Sequence, residues 1–215
     1  MDKVIAILDA LESQYHNEQC PPELGHPEPL DGLILTILSQ NTNDINRDRA
    51  YANMKAQYPT WPDVIAAGAS RLEDAIRTAG LAHTKAGRII TVLDKVHADF
   101  GEYSIRGLAG RNDIREYLRA LPGVGAKTVA CTLLFDFKIP AFPVDTHVTR
   151  ISRRTGIAPV KASPEEISRM LEEIVPESRC LGGHVNMIAH GRAVCHSQKP
   201  ECSSCVISHL CGKNL

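Results

Sequence analysis

The chain has 215 residues, of which 43% are hydrophobic and 23% charged. That is a soluble, core-forming composition, and it excludes a disordered chain, a collagen-like repeat and a coiled-coil rod. No apolar run approaches the ~18 residues of a membrane span, and a formal net charge of -1 argues, taken alone, against a polyanionic partner.

The charge is unevenly distributed. Residues 1–31 carry seven acids and one base, Lys3, so the rest of the chain is net +5. From Thr146 to Pro164 there is no acid, but there are Arg150, Arg153, Arg154 and Lys161. Seven cysteines, four of them in the last 21 residues, fit a metal site in a reducing compartment better than a disulfide framework.

The apolar period is helical almost throughout. Val4, Ile5, Leu8 and Leu11 form the first stripe, in an N-terminal segment too acidic and amphipathic for a secretory signal. Pro21, Pro22, Pro27 and Pro29 then make a rigid loop. Leu30, Ile34, Ile37 and Leu38 give the next stripe, and Ile89, Ile90, Leu93, Val96 and Phe100 another after Thr84. Ile114, Tyr117 and Leu118 form a short one, and Val129, Leu133 and Leu134 follow a glycine-rich turn. Phe135–Pro143 reads as the one extended stretch, with a break at Ile139–Pro143. Ser163 and Pro164 suit the N-cap and first position of a helix bearing Ile167, Met170, Leu171 and Ile174. The sum is about ten short helices in an all-α protein, with the two proline breaks as lobe boundaries.

Three constellations carry chemistry. Cys195, Cys202, Cys205 and Cys211 are spaced C-x6-C-x2-C-x5-C. Four thiolates can hold a tetrahedral zinc or an iron–sulfur cube. Only Cys202 and Cys205 form a tight knuckle, and the wider outer spacings favour the larger object. His196 and His209 fall inside the loop but outside this ligand set.

The second is Leu121-Pro122-Gly123-Val124-Gly125-Ala126-Lys127-Thr128, a glycine turn between two helices. Gly123 and Gly125 permit positive φ and close backbone approach. Free amides at such a turn can hold a phosphate without reading sequence. Lys127 falls in the first turn of the following helix. The helix dipole and partial burial there would favour a neutral amine, which is a nucleophile and forms Schiff bases. The alternative is a solvated surface lysine. The third is Phe142-Pro143-Val144-Asp145-Thr146-His147, where Asp145 is either a plain N-cap or an acid/base carboxylate.

In this order, the hairpin with Lys127, Val144-Asp145-Thr146-His147, His190-Gly191-Arg192 and the four-cysteine loop resemble the endonuclease III family of DNA glycosylases. The resemblance covers about Leu30 to Cys211. It implies two helical lobes. One is a six-helix barrel at 23–135, with the helix–hairpin–helix at about 112–131. The other joins 1–22 to 136–215 and bears a [4Fe-4S] cluster on the loop 195–211. It implies base-excision repair of oxidised pyrimidines in duplex DNA, with Lys127 as nucleophile and Asp145 as acid/base partner. It also implies AP lyase activity by β-elimination through a Schiff base.

The expected partner is double-stranded DNA with a damaged base or abasic site, bound by a monomer. The expected place is the cytoplasm, on the nucleoid if the source is prokaryotic, with no membrane association. DNA contacts are expected from Gly123, Val124 and Gly125, and from His147. Two loops would fill the gap left by a flipped base: Leu38–Asp44, through Gln40 or Asn41, and Gly80–Ala86, through Leu81. The family commonly has glutamine where this chain has Asn41, and an aromatic or polar residue where it has Ala82. Cys20, Cys131 and Cys180 are expected as buried bystanders. The alternatives are a mismatch-thymine or alkylpurine glycosylase on the same scaffold, and a non-catalytic DNA-structure binder.

Overall fold

The computed structural model describes residues 2–16 and 25–214. Among these there are ten α-helices and no strand, so the chain is all-α, as the apolar periods require. It divides into two compact units, His26–Thr132 and Met1–Gly25 with Leu133–Leu215.

The first unit contains α2 (Pro29–Leu38), α3 (Asp44–Gln57), α4 (Trp61–Ala75), α5 (Ala82–Phe100), α6 (Ile114–Ala120) and α7 (Ala126–Cys131). Its core is built on α2, where Leu30, Leu33, Ile34, Ile37 and Leu38 are fully buried. Their spacing wraps more than one stripe, because α2 packs against α3, α5 and α7 at once. Ile89, Val92, Leu93 and Val96 give α5 its buried face. Helix α4 opens with a reciprocal Thr60–Asp63 cap and is broken at Gly68, whose φ of 75° interrupts the winding. Leu81 precedes α5, and Gly101 in the left-handed region closes it.

The second unit contains α1 (Asp2–Tyr15), α8 (Thr146–Thr155), α9 (Pro164–Ile174) and α10 (Cys180–Ala193). Helix α10 packs on α1 and α8, and α8 on α9. A Cβ at Gly183 would lie 3.2 Å from Leu8 and 3.1 Å from Phe142, so the bare backbone of α10 lets both side chains close in. Arg179, just before α10, grips α1 by forking onto Glu12 at 2.8 and 2.9 Å and reaching Asp9 at 2.8 Å. Ser163 caps α9 in a reciprocal box with Glu166, and Pro164 takes the first turn.

Two expectations differ from the structure. The first stripe buries Val4, Ile7, Leu8 and Leu11, with Ile5 only half-buried. Both sets obey the helical spacing, and packing against α10 chooses between them. Phe135–Phe137, the start of the expected extended stretch, is instead the end of a π-helical segment, Thr132–Phe137, that directly continues α7. Its β-favouring residue types are overridden because Leu133, Leu134 and Phe135 bury best while the chain stays wound. Regular structure stops only at Lys138, before Pro140 and Pro143. Cys131 and Cys180 are buried, while Cys20, Pro21 and Pro22 lie outside the described residues.

Candidate active site and thiol cavity

Within the unit His26–Thr132, the glycine turn is a tight reversal. The Val124 amide donates to the Leu121 carbonyl at 3.1 Å, and Gly123 has φ 75°. Proline then glycine at the two central positions is the chemistry a type II turn demands. Gly123 is also required by space, since a Cβ there would lie 2.5 Å from Arg88 Cδ. Val124 is buried and spends its amide inside the turn. The first amides of α7 after Gly125 have no intrahelical partner, as at every helix start.

Lys127, in the first turn of α7, is exposed rather than partly buried. The turn tips its side chain to solvent while Thr128 and Val129 take the buried positions. The buried lysine of this unit is Lys85, with 1% of its surface exposed. Its ammonium donates to the carbonyls of Leu38 and Ala79, each at 2.8 Å. Burial holds its pKa below the ordinary lysine value. Lys85 thus ties the end of α2 to the 3-10 turn Arg77–Ala79, the two segments from which Gln40, Asn41 and Leu81 emerge. Residue type alone does not single it out, because most lysines are solvated.

The two loops have unusual backbones. Asn41 is exposed with φ 53°, a conformation its short amide side chain tolerates. Leu81 is 59% exposed with φ 49°, and leucine has no such excuse. A strained residue that also presents an apolar side chain to water suits a ligand-filling role better than a packing one. Gln40 is half-buried and engaged at both ends of its amide. It donates to the Gly123 carbonyl at 3.0 Å and accepts from Arg88 at 3.1 Å.

In the other unit, Asp145 caps α8, its Oδ1 accepting from the Val148 amide at 2.8 Å. His147 is half-buried, with Nδ1 facing Arg150 Nη2 at 3.0 Å. A Cβ at Gly191 would lie 2.6 Å from that ring nitrogen, so the glycine of His190-Gly191-Arg192 is needed for His147 to seat against α10. Arg150 also donates to the carbonyls of Gly191 and Cys195.

Cys195, Cys202, Cys205 and Cys211 line one cavity together with Ile151, Arg154, His190, Val194 and Ile207. Several donors meet the sulfurs. Arg154 reaches Cys195 Sγ at 3.4 Å, and the Lys213 amide reaches Cys211 Sγ at 3.3 Å. His190 Nε2 lies 3.4 Å from Cys205 Sγ, and its Nδ1 is 3.0 Å from the Tyr15 hydroxyl. Burial pushes His190 down to about 4, which keeps the ring neutral. If Tyr15 donates to Nδ1, Nε2 carries the proton toward the sulfur. Burial also raises the Cys205 thiol, and the thiols of Cys195, Cys211 and Cys202 push it the same way. Four thiolates can share this cavity only with compensating positive charge. Arg154 also holds the backbone of the loop. It donates to His196 and Ser197 carbonyls, whereas Arg153 turns to Ala162. The acid-free basic stretch is therefore largely consumed in holding backbone carbonyls.

Residues 34–177, more than half of the chain, match the HhH-GPD superfamily of base excision DNA repair proteins. The chain belongs to this superfamily. Within the HhH-GPD proteins it is similar to endonuclease III of Thermotoga maritima, 36% identical across 86% of this chain and 83% of that protein. A putative DNA glycosylase of Arabidopsis thaliana is 35% identical across 79% of this chain, which spans only 59% of that longer protein. Among solved HhH-GPD structures, a trapped endonuclease III–DNA covalent intermediate superposes with a TM-score of 0.86 at 32% identity. It covers 99% of this chain and 95% of the other. No helix among the described residues is long and apolar enough to cross a membrane.

Proposed function

We propose that this DNA glycosylase and abasic-site lyase removes oxidised pyrimidines from duplex DNA, using Lys127 as nucleophile and Asp145 as its acid/base partner. The observation that carries the reading is Lys127 on the hairpin of a chain 32% identical to an endonuclease III captured covalently on DNA. Once it has given up its ammonium proton, the Lys127 amine forms a bond to C1′ as the glycosidic bond breaks; the electron pair leaves with the base, which takes up a proton, and the newly bonded nitrogen releases one. Opening of the sugar gives the Schiff base. Loss of a C2′ proton then expels the 3′ phosphate by β-elimination. Asp145 has one oxygen committed to its cap, and the other is available to relay protons.

The first amides of α7, with Gly123 and Gly125 beside them, hold a backbone phosphate. Asn41 and Leu81 enter the space vacated by the extruded base, and His147 adds a backbone contact near the lesion. The partner is one damaged duplex per monomer.

The four cysteines hold a [4Fe-4S] cluster. The donor set fits this group: four thiols share one cavity, with N–H groups directed at the sulfurs. Only Cys202 and Cys205 are spaced as a tight knuckle, and the wider outer spacings suit a cube with separated corners better than one zinc. The cluster supplies a structural clasp for the loop 195–211.

The test is borohydride trapping on thymine-glycol and abasic duplexes, with strand cleavage also followed on mismatched-thymine and alkylpurine duplexes. A covalent adduct that is lost in Lys127→Ala is expected. No adduct, or an undiminished one in that variant, refutes the assignment. Preferential cleavage at mismatched thymine or alkylpurine moves the substrate to the alternative.

A further inference from the structure

We infer that Gln40 is a positioning residue that latches the glycine hairpin to the end of α2, and that it is not a gap-filling side chain. The inference rests on the function proposed above for the hairpin and the loop bearing Asn41. Three observations carry it, all within the unit His26–Thr132.

First, both ends of the Gln40 amide are spent on the protein. Nε2 donates to the Gly123 carbonyl at 3.0 Å, and Oε1 accepts from Arg88 Nη1 at 3.1 Å. The orientation of the amide is determined by its partners: turned over, it would set oxygen against carbonyl and NH2 against guanidinium. Second, the group that Gln40 grips sits at the most constrained point of the turn. Gly123 has φ 75°, and Arg88 fills the space where its side chain would be. Arg88 is thereby part of the same clamp: its stem supports the glycine from below and its guanidinium holds the amide that holds the glycine's carbonyl. Third, the next residue, Asn41, is exposed in the left-handed region, so the chain turns outward immediately after Gln40.

The consequence is mechanical. Entering a base stack would require Gln40 to abandon both partners and release the turn that presents the phosphate-binding amides. Remaining latched, it makes the hairpin and the gap-filling loop one rigid body, so a duplex seated on the hairpin has Asn41 already in register. The latch also joins α5, through Arg88, to the same body. Lys85, one turn earlier on α5, ties it to Leu38 and Ala79. Preorganisation of this kind lowers the ordering cost of binding rather than adding a contact to DNA.

The test compares Gln40→Ala, Gln40→Glu and Asn41→Ala. Hydrogen exchange of the free protein reads the hairpin, and binding is measured to an undamaged duplex and to one with a tetrahydrofuran abasic analogue. Glutamate keeps the size of the side chain and the bond from Arg88 but cannot donate to the Gly123 carbonyl, so it guards against a folding artefact in the alanine variant. Loss of one or two hydrogen bonds should speed exchange of the Val124 amide, the one bonded inside the turn, about five- to tenfold in both Gln40 variants. Both should weaken the two duplexes by the same factor, with the larger part of the kinetic loss in KM rather than kcat. Asn41→Ala should leave hairpin exchange alone and weaken only the abasic duplex. Unchanged exchange in the Gln40 variants, or a loss confined to the abasic duplex, overturns the inference. Failure of the unsubstituted protein to form a trapped adduct would refute the glycosylase–lyase reading instead, and the exchange result, which needs no DNA, would be unaffected.

Discussion

Lys85 offers the sharpest test of what holds the two loops that carry Asn41 and Leu81 in place. The perturbation is Lys85→Met, which keeps an unbranched side chain of similar length and leaves no large cavity. What disappears is one charged donor, shared by the Leu38 and Ala79 carbonyls at 2.8 Å each. A buried carbonyl left without its donor costs about 1–3 kcal/mol, so two cost roughly 2–6. Removing a desolvated ammonium returns part of this, and the net expected loss is about 2–3 kcal/mol. For a chain of this size that lowers Tm by about 5–10 °C.

The effect has a distinctive pH dependence. Burial lowers the pKa of Lys85 in the folded state, while the unfolded chain titrates near the ordinary value of about 10.4. Between those two values the unfolded state binds more protons, so stability contributed by Lys85 rises with pH. The gap between the unsubstituted protein and Lys85→Met should therefore widen from pH 7 to pH 10. Urea unfolding followed by far-ultraviolet circular dichroism at both pH values measures it. Equal stability of the two proteins would refute the argument, because the burial of the ammonium would then cancel the two carbonyl bonds, and so would a gap that narrows toward pH 10, because the folded state would then hold the Lys85 proton more tightly than the unfolded chain does.

Other substitutions separate structure from chemistry. Asp145→Asn should keep the cap of α8, since asparagine caps as well as aspartate. Asp145→Ala should cost about 1 kcal/mol. Both should lose strand cleavage, and a Tm comparison beside a single-turnover assay distinguishes the two effects. Gly123→Ala puts a Cβ against Arg88 at a positive φ and should cost about 1–3 kcal/mol. Its duplex affinity should fall with weak dependence on the lesion, as titration by fluorescence anisotropy would show. Cys202→Ser should lower iron content and visible absorbance in the purified protein. Unaltered iron would remove Cys202 from the ligand set.

Much of this molecule is legible in its sequence because the relevant physics is local. The i, i+3, i+4 stripes define helices wherever one face is buried, and Ser163-Pro164-Glu165-Glu166 carries its own start signal. Pro122-Gly123 demands a type II turn whatever surrounds it. Four cysteines at close spacing must meet around a common object, and they line one cavity.

Tertiary structure decided what depends on distant partners. Spacing allowed either Ile5 or Ile7 to face inward, and contact with α10 chose Ile7. A lysine, an arginine and a glutamine are surface residues by type, yet Lys85, Arg88 and Gln40 tie three loops together. Their partners lie up to 83 residues away in the chain. The role of Gly191 follows only from the seating of His147 against it. Lys127 shows the same division from the other side. Its position in the motif was readable, but its exposure was not, because the turn before it, not its own residue type, sets which way the side chain points. Sequence determines the local conformations and the chemistry carried at each position. The polar contacts that hold the loops in register need partners brought close only by packing, and so belong to the fold.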